Sequence, residues 1–238
     1  MKYYLIRPSL QKKDFGKSYP QAQDAIDNDR DHSNHIEKNF GKKIDFDPLA
    51  CYPIINKKGR LTDFIGSVVN FGNLQISSKL KSIIEKYTSE GIQYFRNTVL
   101  HNDLEYSNYW LLHPYQFDQE YIDFGKSEVI HQQKKKEGGT VPVSVMVSSM
   151  EDFTYLSEKA REKNEMMNIE KLSLKENIII KDFFVLRHVS GGMFYVSEKL
   201  KKEIEEAGCT GLEFKPSYLS YNEWMAPNGE RDKIYGKV

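Results

Sequence analysis

At 238 residues the chain can form one large domain or two small ones, and it can bury roughly 70–75% of its unfolded surface without disulfides or metals. Its 34 basic and 34 acidic residues cancel. This argues against a nucleic-acid binder, which carries a cationic surplus to displace counterions from phosphates. The two cysteines, Cys51 and Cys209, form neither a disulfide framework nor a CxxC pair, and no stretch approaches the roughly 18 apolar residues of a membrane span.

Tyr3 to Ile6 reads as a first strand stopped by Pro8, too short for the core of a signal peptide, so the expected location is the cytoplasm. Residues 9–48 are polar and aperiodic and read as a long loop with a short helix. Between Pro20 and Glu37 five acids (Asp24, Asp27, Asp29, Asp31, Glu37) stand against one base, Arg30. From Leu61 to Val99 the pattern sharpens. Phe64–Val69 suggests a strand, and Leu74 with Ile76 another. Ser77 suits an N-cap, and Leu80, Ile83, Ile84 and Tyr87 fall on one helical face. Gly91 supplies a left-handed exit, and Ile92–Val99 continues as a strand. Tyr106–Tyr115 reads as an aromatic strand broken at Pro114, followed by the apolar run Ile122–Ile130 and an exposed loop over Gln132–Gly139. Val141–Val147 is a β-branched strand. Ser149 and Asp152 cap a helix running to about Met167, and Ile178–Val189 is again strand-like.

The last part of the chain repeats the earlier unit. A shift of 120 positions aligns Gly72, Ser77, Lys79, Leu80, Lys81, Ile84, Glu85 and Gly91 with Gly192, Ser197, Lys199, Leu200, Lys201, Ile204, Glu205 and Gly211. Both copies read as strand end, serine cap, amphipathic helix, exit glycine and second strand. The expected fold class is therefore α+β, with mixed or antiparallel sheets and a duplicated strand–helix–strand unit. The expected organisation is an N-terminal strand and polar loop region over 1–60, a first repeat over 61–130, and a second repeat with a C-terminal tail over 131–238.

Motifs for chemistry fall short. Asp27, Asp29 and Asp31 begin like a calcium loop, but His32 and Lys38 occupy the positions that need Gly and Glu. His32 and His35 alone are too few for zinc and read as surface histidines. Gly16-Lys17-Ser18 and Gly125-Lys126-Ser127 lack the upstream glycine of a P-loop, and Gly191-Gly192 lacks the rest of a dinucleotide fingerprint. Cys209 and Cys51 read as structural thiols without a base placed beside them. Asp103, Glu105, Asp118, Glu120 and Asp123 surround several tyrosines. Solvated turns explain them better than a carboxylate pair or a protein-binding face. No catalytic, metal-binding or cofactor-binding residues are assigned.

Two stretches carry a resemblance. One is Tyr106-x-x-Tyr109-Trp110-Leu111-Leu112 with Tyr121-Ile122-Asp123-Phe124-x-Lys126-Ser127. The other runs from Met193-Phe194-Tyr195-Val196-Ser197-Glu198-Lys199-Leu200 to Gly208-Cys209-Thr210-Gly211-Leu212-Glu213-Phe214. Together they resemble the immunity proteins of family eleven in bacterial polymorphic toxin systems, formerly a domain of unknown function. The likeness covers about Leu61 to Phe214; before that, only the Tyr-rich opening strand matches. It implies a cytoplasmic antidote whose partner is a cognate toxin protein, with no catalytic residues to carry over. Partner-binding candidates are Tyr106, Tyr109, Trp110, Tyr221 and Trp224, since aromatics anchor protein interfaces. Two other readings stand beside it. One is an enzyme assembled from His188, Cys209 and the acids near Asp123; the other is a protein-binding adaptor. A homodimer stays open.

Overall fold

The structure is a computed structural model that describes residues 2–17 and 19–237. Its elements, in chain order, are β1 (Tyr3–Pro8), α1 (Lys12–Phe15), β2 (Ala22–Ile26), β3 (Tyr52–Ile55), β4 (Phe64–Ile65), β5 (Leu74–Ser77), α2 (Ser78–Ile84), β6 (Ile92–His101) and β7 (Leu104–Pro114). The second half holds β8 (Glu128–Lys134), β9 (Thr140–Val145), α3 (Met150–Glu162), β10 (Met166–Lys171), β11 (Phe183–Val185), β12 (Phe194–Ser197), α4 (Glu198–Glu206), β13 (Leu212–Pro216), α5 (Tyr221–Met225) and α6 (Glu230–Tyr235). Among the described residues the strands form three sheets, ordered β2-β3-β6-β7-β5-β4, β11-β12-β1-β13 and β10-β8-β9. Nearly all pairings are antiparallel, with β3 beside β6 the parallel exception, so the fold is α+β. Among the described residues no helix is long and apolar enough to cross a membrane.

The duplicated unit is present, and its two copies share their hydrogen bonding. Ser77 and Ser197 each accept the amide of the residue three positions on, Leu80 or Leu200, as N-caps do. Each serine hydroxyl also donates to an aspartate ahead of it, Ser77 to Asp63 at 2.7 Å and Ser197 to Asp182. Each serine amide donates to the same aspartate's carbonyl at 2.8 Å. Lys79 then pairs with Asp63 at 3.2 Å, and Lys199 with Asp182 at 3.7 Å. Gly91 and Gly211 leave their helices at φ +84° and +83°, a region open to glycine at no steric cost. The repeat also reaches upstream. Phe64 pairs with Ile76 and Phe183 with Val196, so Asp63-Phe64 matches Asp182-Phe183 at a shift of 119. The loop between the first two strands differs by one residue, which conceals this match from any fixed offset.

The middle strand of each unit comes from a different place in the chain. In the first unit β7 lies between β5 and β6, and Ser77, Ile76 and Gln75 face Tyr109, Trp110 and Leu111. In the second unit β1 takes that place, and Ser197, Val196 and Tyr195 face Tyr3, Tyr4 and Leu5. The far ends agree as well, with Ile92 opposite Pro114 and Leu212 opposite Pro8. Tyr109-Trp110-Leu111-Leu112-His113-Pro114 is therefore the counterpart of Tyr3-Tyr4-Leu5-Ile6-Arg7-Pro8. The opening strand of the chain completes the closing unit of the fold.

The two units share one core, in which Phe64, Ile76, Leu80 and Ile84 meet Val185, Val196, Leu200 and Ile204. The other face of the second unit packs on a module of β8–β10 and α3, through Leu5, Phe184 and Tyr195 against Phe153, Met167 and Ile169. The other face of the first unit is covered by residues from and just after the stretch read from sequence as a long loop with a short helix. The short helix is α1, and the stretch also supplies strand β2 and core residues. Ile36, Ile44 and Ala50 pack on Leu111, and Ile44 exchanges two backbone hydrogen bonds with the Gln93 side chain, at 2.8 and 2.7 Å. The edges of the six-stranded sheet also approach each other. Ala22 bridges Ser67, and its amide donates to Gly66 at 2.9 Å, which curls the sheet toward a barrel.

Several element bounds shift. The Phe64–Val69 strand shrinks to β4, Ile122–Ile130 gives way to β8, and Ile178–Val189 to β11. The first three residues of the Gln132–Gly139 loop join the β8–β9 hairpin, Gln132, Gln133 and Lys134 pairing with Pro142, Val141 and Thr140, and residues 135–139 form its exposed turn.

Candidate functional site

A groove of about 460 Å³ runs between the two repeated units. Ile6 and Pro8 of β1, Phe64 of β4, Phe194 of β12, and Tyr19 and Phe71 from loops line it. The groove exists because the segments joining the first two strands of each unit meet there, residues 66–73 of the first and the glycine-containing end of the second, residues 191–193. The copies differ in these segments, and their residues are free of the scaffold's capping bonds.

Tyr19 and Phe71 line the groove, and Val68 sits between two lining residues, Ser67 and Val69. Phe71 is 73% exposed, Val68 57% and Tyr19 42%. They are fixed from below. The Val68 amide donates to Ala22 O at 3.3 Å, the Phe71 amide to Glu37 Oε1 at 3.0 Å, and the Phe71 ring meets Phe40 at 6.3 Å. Phe40 in turn meets Phe117, over which the Arg187 guanidinium sits at 5.0 Å. At the other end Arg7 lies 4.6 Å over the ring of Tyr221, alongside Gly191 on the groove wall. Burial pushes the Tyr19 phenol up, partly countered by Arg7, so it is a neutral hydrogen-bonding group at physiological pH. Exposed apolar clusters with a polar rim mark interaction surfaces.

The five aromatic candidates read from sequence do not share one surface. Tyr221 lies at the groove's end. Tyr109 is 4% exposed and donates to Thr62 O at 2.9 Å, and Trp224 is 0% exposed and packs edge-on against Tyr235. Both are corrected to core residues, since no partner reaches them in the folded chain. Trp110 is half-buried, with Lys81 and Arg96 over its ring at 4.8 and 4.9 Å, and its Nε1 donates to Ser78 Oγ. The Lys81 contact recurs in the second unit, where Lys201 lies 5.2 Å over Tyr4. This recurrence assigns Trp110 to the repeated scaffold. Tyr106 is half-buried opposite Val99 near the β6–β7 hairpin, packed against the cluster of Ile55, Ile65 and Tyr109, and does not line the groove. Sequence reasoning missed Tyr19, Val68 and Phe71. Their one signal was an apolar residue in a segment rich in Gly, Asn and Ser.

No protein-family model matches this chain, and no curated protein does.

The surroundings of the reactive residues are those of structural groups. His35 is corrected from a surface histidine to a core one, 0% exposed, with Nε2 3.6 Å from Cys51 Sγ and Nδ1 accepting the Glu37 amide. This is the contact of a Cys–His pair, but its electrostatics oppose ion-pair formation. Burial pushes the Cys51 thiol up and the His35 imidazole down, so both stay neutral. His188 and Cys209 do not converge. His188 lies against Phe153 beside α3, whereas Cys209 packs at the shared core near Asp63 and Lys79, its thiol pushed up to about 11 chiefly by burial. The acids near the aromatics are dispersed as well. Asp118 accepts the Val185 amide and pairs with Lys181, while Asp103 sits at a hairpin tip. Among the described residues no three His, Cys, Asp or Glu side chains are grouped to hold a metal.

Proposed function

We propose that this protein is an immunity protein, which binds the toxic domain of a cognate bacterial effector in the cytoplasm and covers its active site. The observation that carries the reading is the inter-unit groove lined by the exposed rings of Tyr19 and Phe71, with Val68 exposed between the lining residues Ser67 and Val69. Stoichiometric neutralisation needs an anchor pocket within an interface of about 1,600 Å². A groove between two rigid units, with aromatic walls and held backbone, suits that task. The motif resemblance between Leu61 and Phe214 supports the same reading.

Co-expression with the toxin encoded beside it tests the proposal. The wild-type chain is expected to restore growth. Phe71→Asp combined with Val68→Asp is expected to abolish rescue while leaving the circular dichroism spectrum and melting transition unchanged, because neither side chain contributes to a core. Absence of rescue by well-folded wild-type protein would refute the reading.

A further inference from the structure

Charge around the groove is divided: Arg187 and Arg7 sit at its two ends, each over an aromatic ring, while the flank that begins at Ala22 is acidic. The segment from Ala22 to Glu37 holds five acids and one base, and it is tied to the apolar rim at both ends. Ala22 of β2 bridges Ser67, next to Val68, and Glu37 holds the Phe71 amide. The single base is already engaged, with Arg30 Nε 3.4 Å from Glu37. Lys38, just beyond, reaches Asp31 at 3.9 Å and its carbonyl. Asp24, Asp27 and Asp29 have no ion-pair partner among the described residues and are exposed. Asp24 accepts the Ala25 amide and Asp27 the Arg30 amide, each at 2.9 Å, and Asp27 also takes the Cys51 thiol at 3.8 Å. Ile26, 46% exposed, lies between Asp24 and Asp27 in sequence at the end of β2.

An acidic flank with three carboxylates outside any ion pair among the described residues, beside an apolar groove, is complementary to a cationic surface carrying an apolar protrusion. We infer that the occupant is the lysine- and arginine-rich, substrate-facing surface of a toxin that acts on nucleic acid. An enzyme that handles a polyanion must present such a surface to its substrate. On this chain Asp24, Asp27 and Asp29 take the place of phosphates, and the groove takes an apolar side chain that phosphates would not bind. The inference rests on the immunity reading and names the class of its partner.

The test uses the toxin domain encoded beside this chain, inactivated at its catalytic residue, with association and dissociation rates measured at low and high salt. The variants are Asp24→Lys/Asp27→Asn/Asp29→Asn, Phe71→Ala, and a distant acidic control, Glu137→Lys/Glu158→Lys. The asparagines keep the turn bonds and tolerate the left-handed backbone at Asp29, so folding is preserved. The acid-depleted variant is expected to associate about ten times more slowly at low salt, the gap closing at high salt, with dissociation little changed. Phe71→Ala is expected to dissociate faster at unchanged association, and the control to match wild type. A complex that ignores salt and the three aspartates overturns the cationic-partner inference and leaves the immunity reading standing. Failure of the wild-type chain to bind the toxin at all overturns both.

Discussion

Residue identity did not decide which aromatic groups face solvent. Trp224 and Phe71 are both large aromatics in polar stretches, yet one is enclosed beside Tyr235 and the other projects over a groove. Charged groups on the back of β13 show the same dependence on neighbours. Lys215 is 2% exposed, its ammonium on the carbonyls of Pro216 and Leu219. Burial, reinforced by Arg7, pushes it down to about 8. Below that pH the folded and unfolded chains both hold the proton. Between about 8 and the ordinary lysine value of 10.5 only the unfolded chain does, so this residue makes stability rise with pH across that window. Urea midpoints at pH 7, 8, 9 and 10 should show that rise in the wild type relative to Lys215→Met. Parallel pH profiles for the two proteins would refute the assignment.

Among elements, the short C-terminal helices matter more than their length suggests. β13 is an edge strand, and α6 covers it. The Phe214 amide donates to Tyr235 Oη at 2.9 Å, and Arg231 grips Glu213 in a bidentate pair at 2.9 and 2.7 Å. Both charged side chains are 1% exposed, and Glu213 also accepts the Leu10 amide at 2.9 Å. Removing one partner leaves a buried charge unmatched. Arg231→Met is therefore expected to cost about 3–5 kcal/mol in urea denaturation, and Arg231→Met/Glu213→Leu to recover a large part of it. Helix caps, by contrast, were readable in advance. Ser77, Ser149 and Ser197 all accept the amide expected of them, because a cap depends on a few adjacent residues.

On the scale of the whole molecule, the second unit depends on a strand more than 180 residues away in sequence. β1 lies between β12 and β13 and buries Leu5 and Ile6 on opposite faces of its sheet. Deleting residues 1–8 is expected to abolish cooperative unfolding of the chain, measured by thermal denaturation. The equivalent strand in the first unit follows β6 through the Asn102-Asp103 turn, where both residues adopt positive φ. The second unit stands without that covalent link. A protease site inserted between Asn102 and Asp103 should therefore be cut with little change in the melting transition.

The sequence alone determined the α+β class, the serine caps, the exit glycines and the repeat from Gly72 to Tyr94 and from Gly192 to Phe214. Each of these is written within a few neighbouring residues, where backbone hydrogen bonding and helical periodicity act. It also held Tyr3–Pro8 as the counterpart of Tyr109–Pro114, but in an order that no fixed offset exposes. Only the tertiary structure decided that His35, Tyr109 and Trp224 are interior and that Tyr19, Val68 and Phe71 border a groove. Burial and exposure follow from which distant strands pair and which loops they bring together, and those long-range choices leave no periodic trace along the chain.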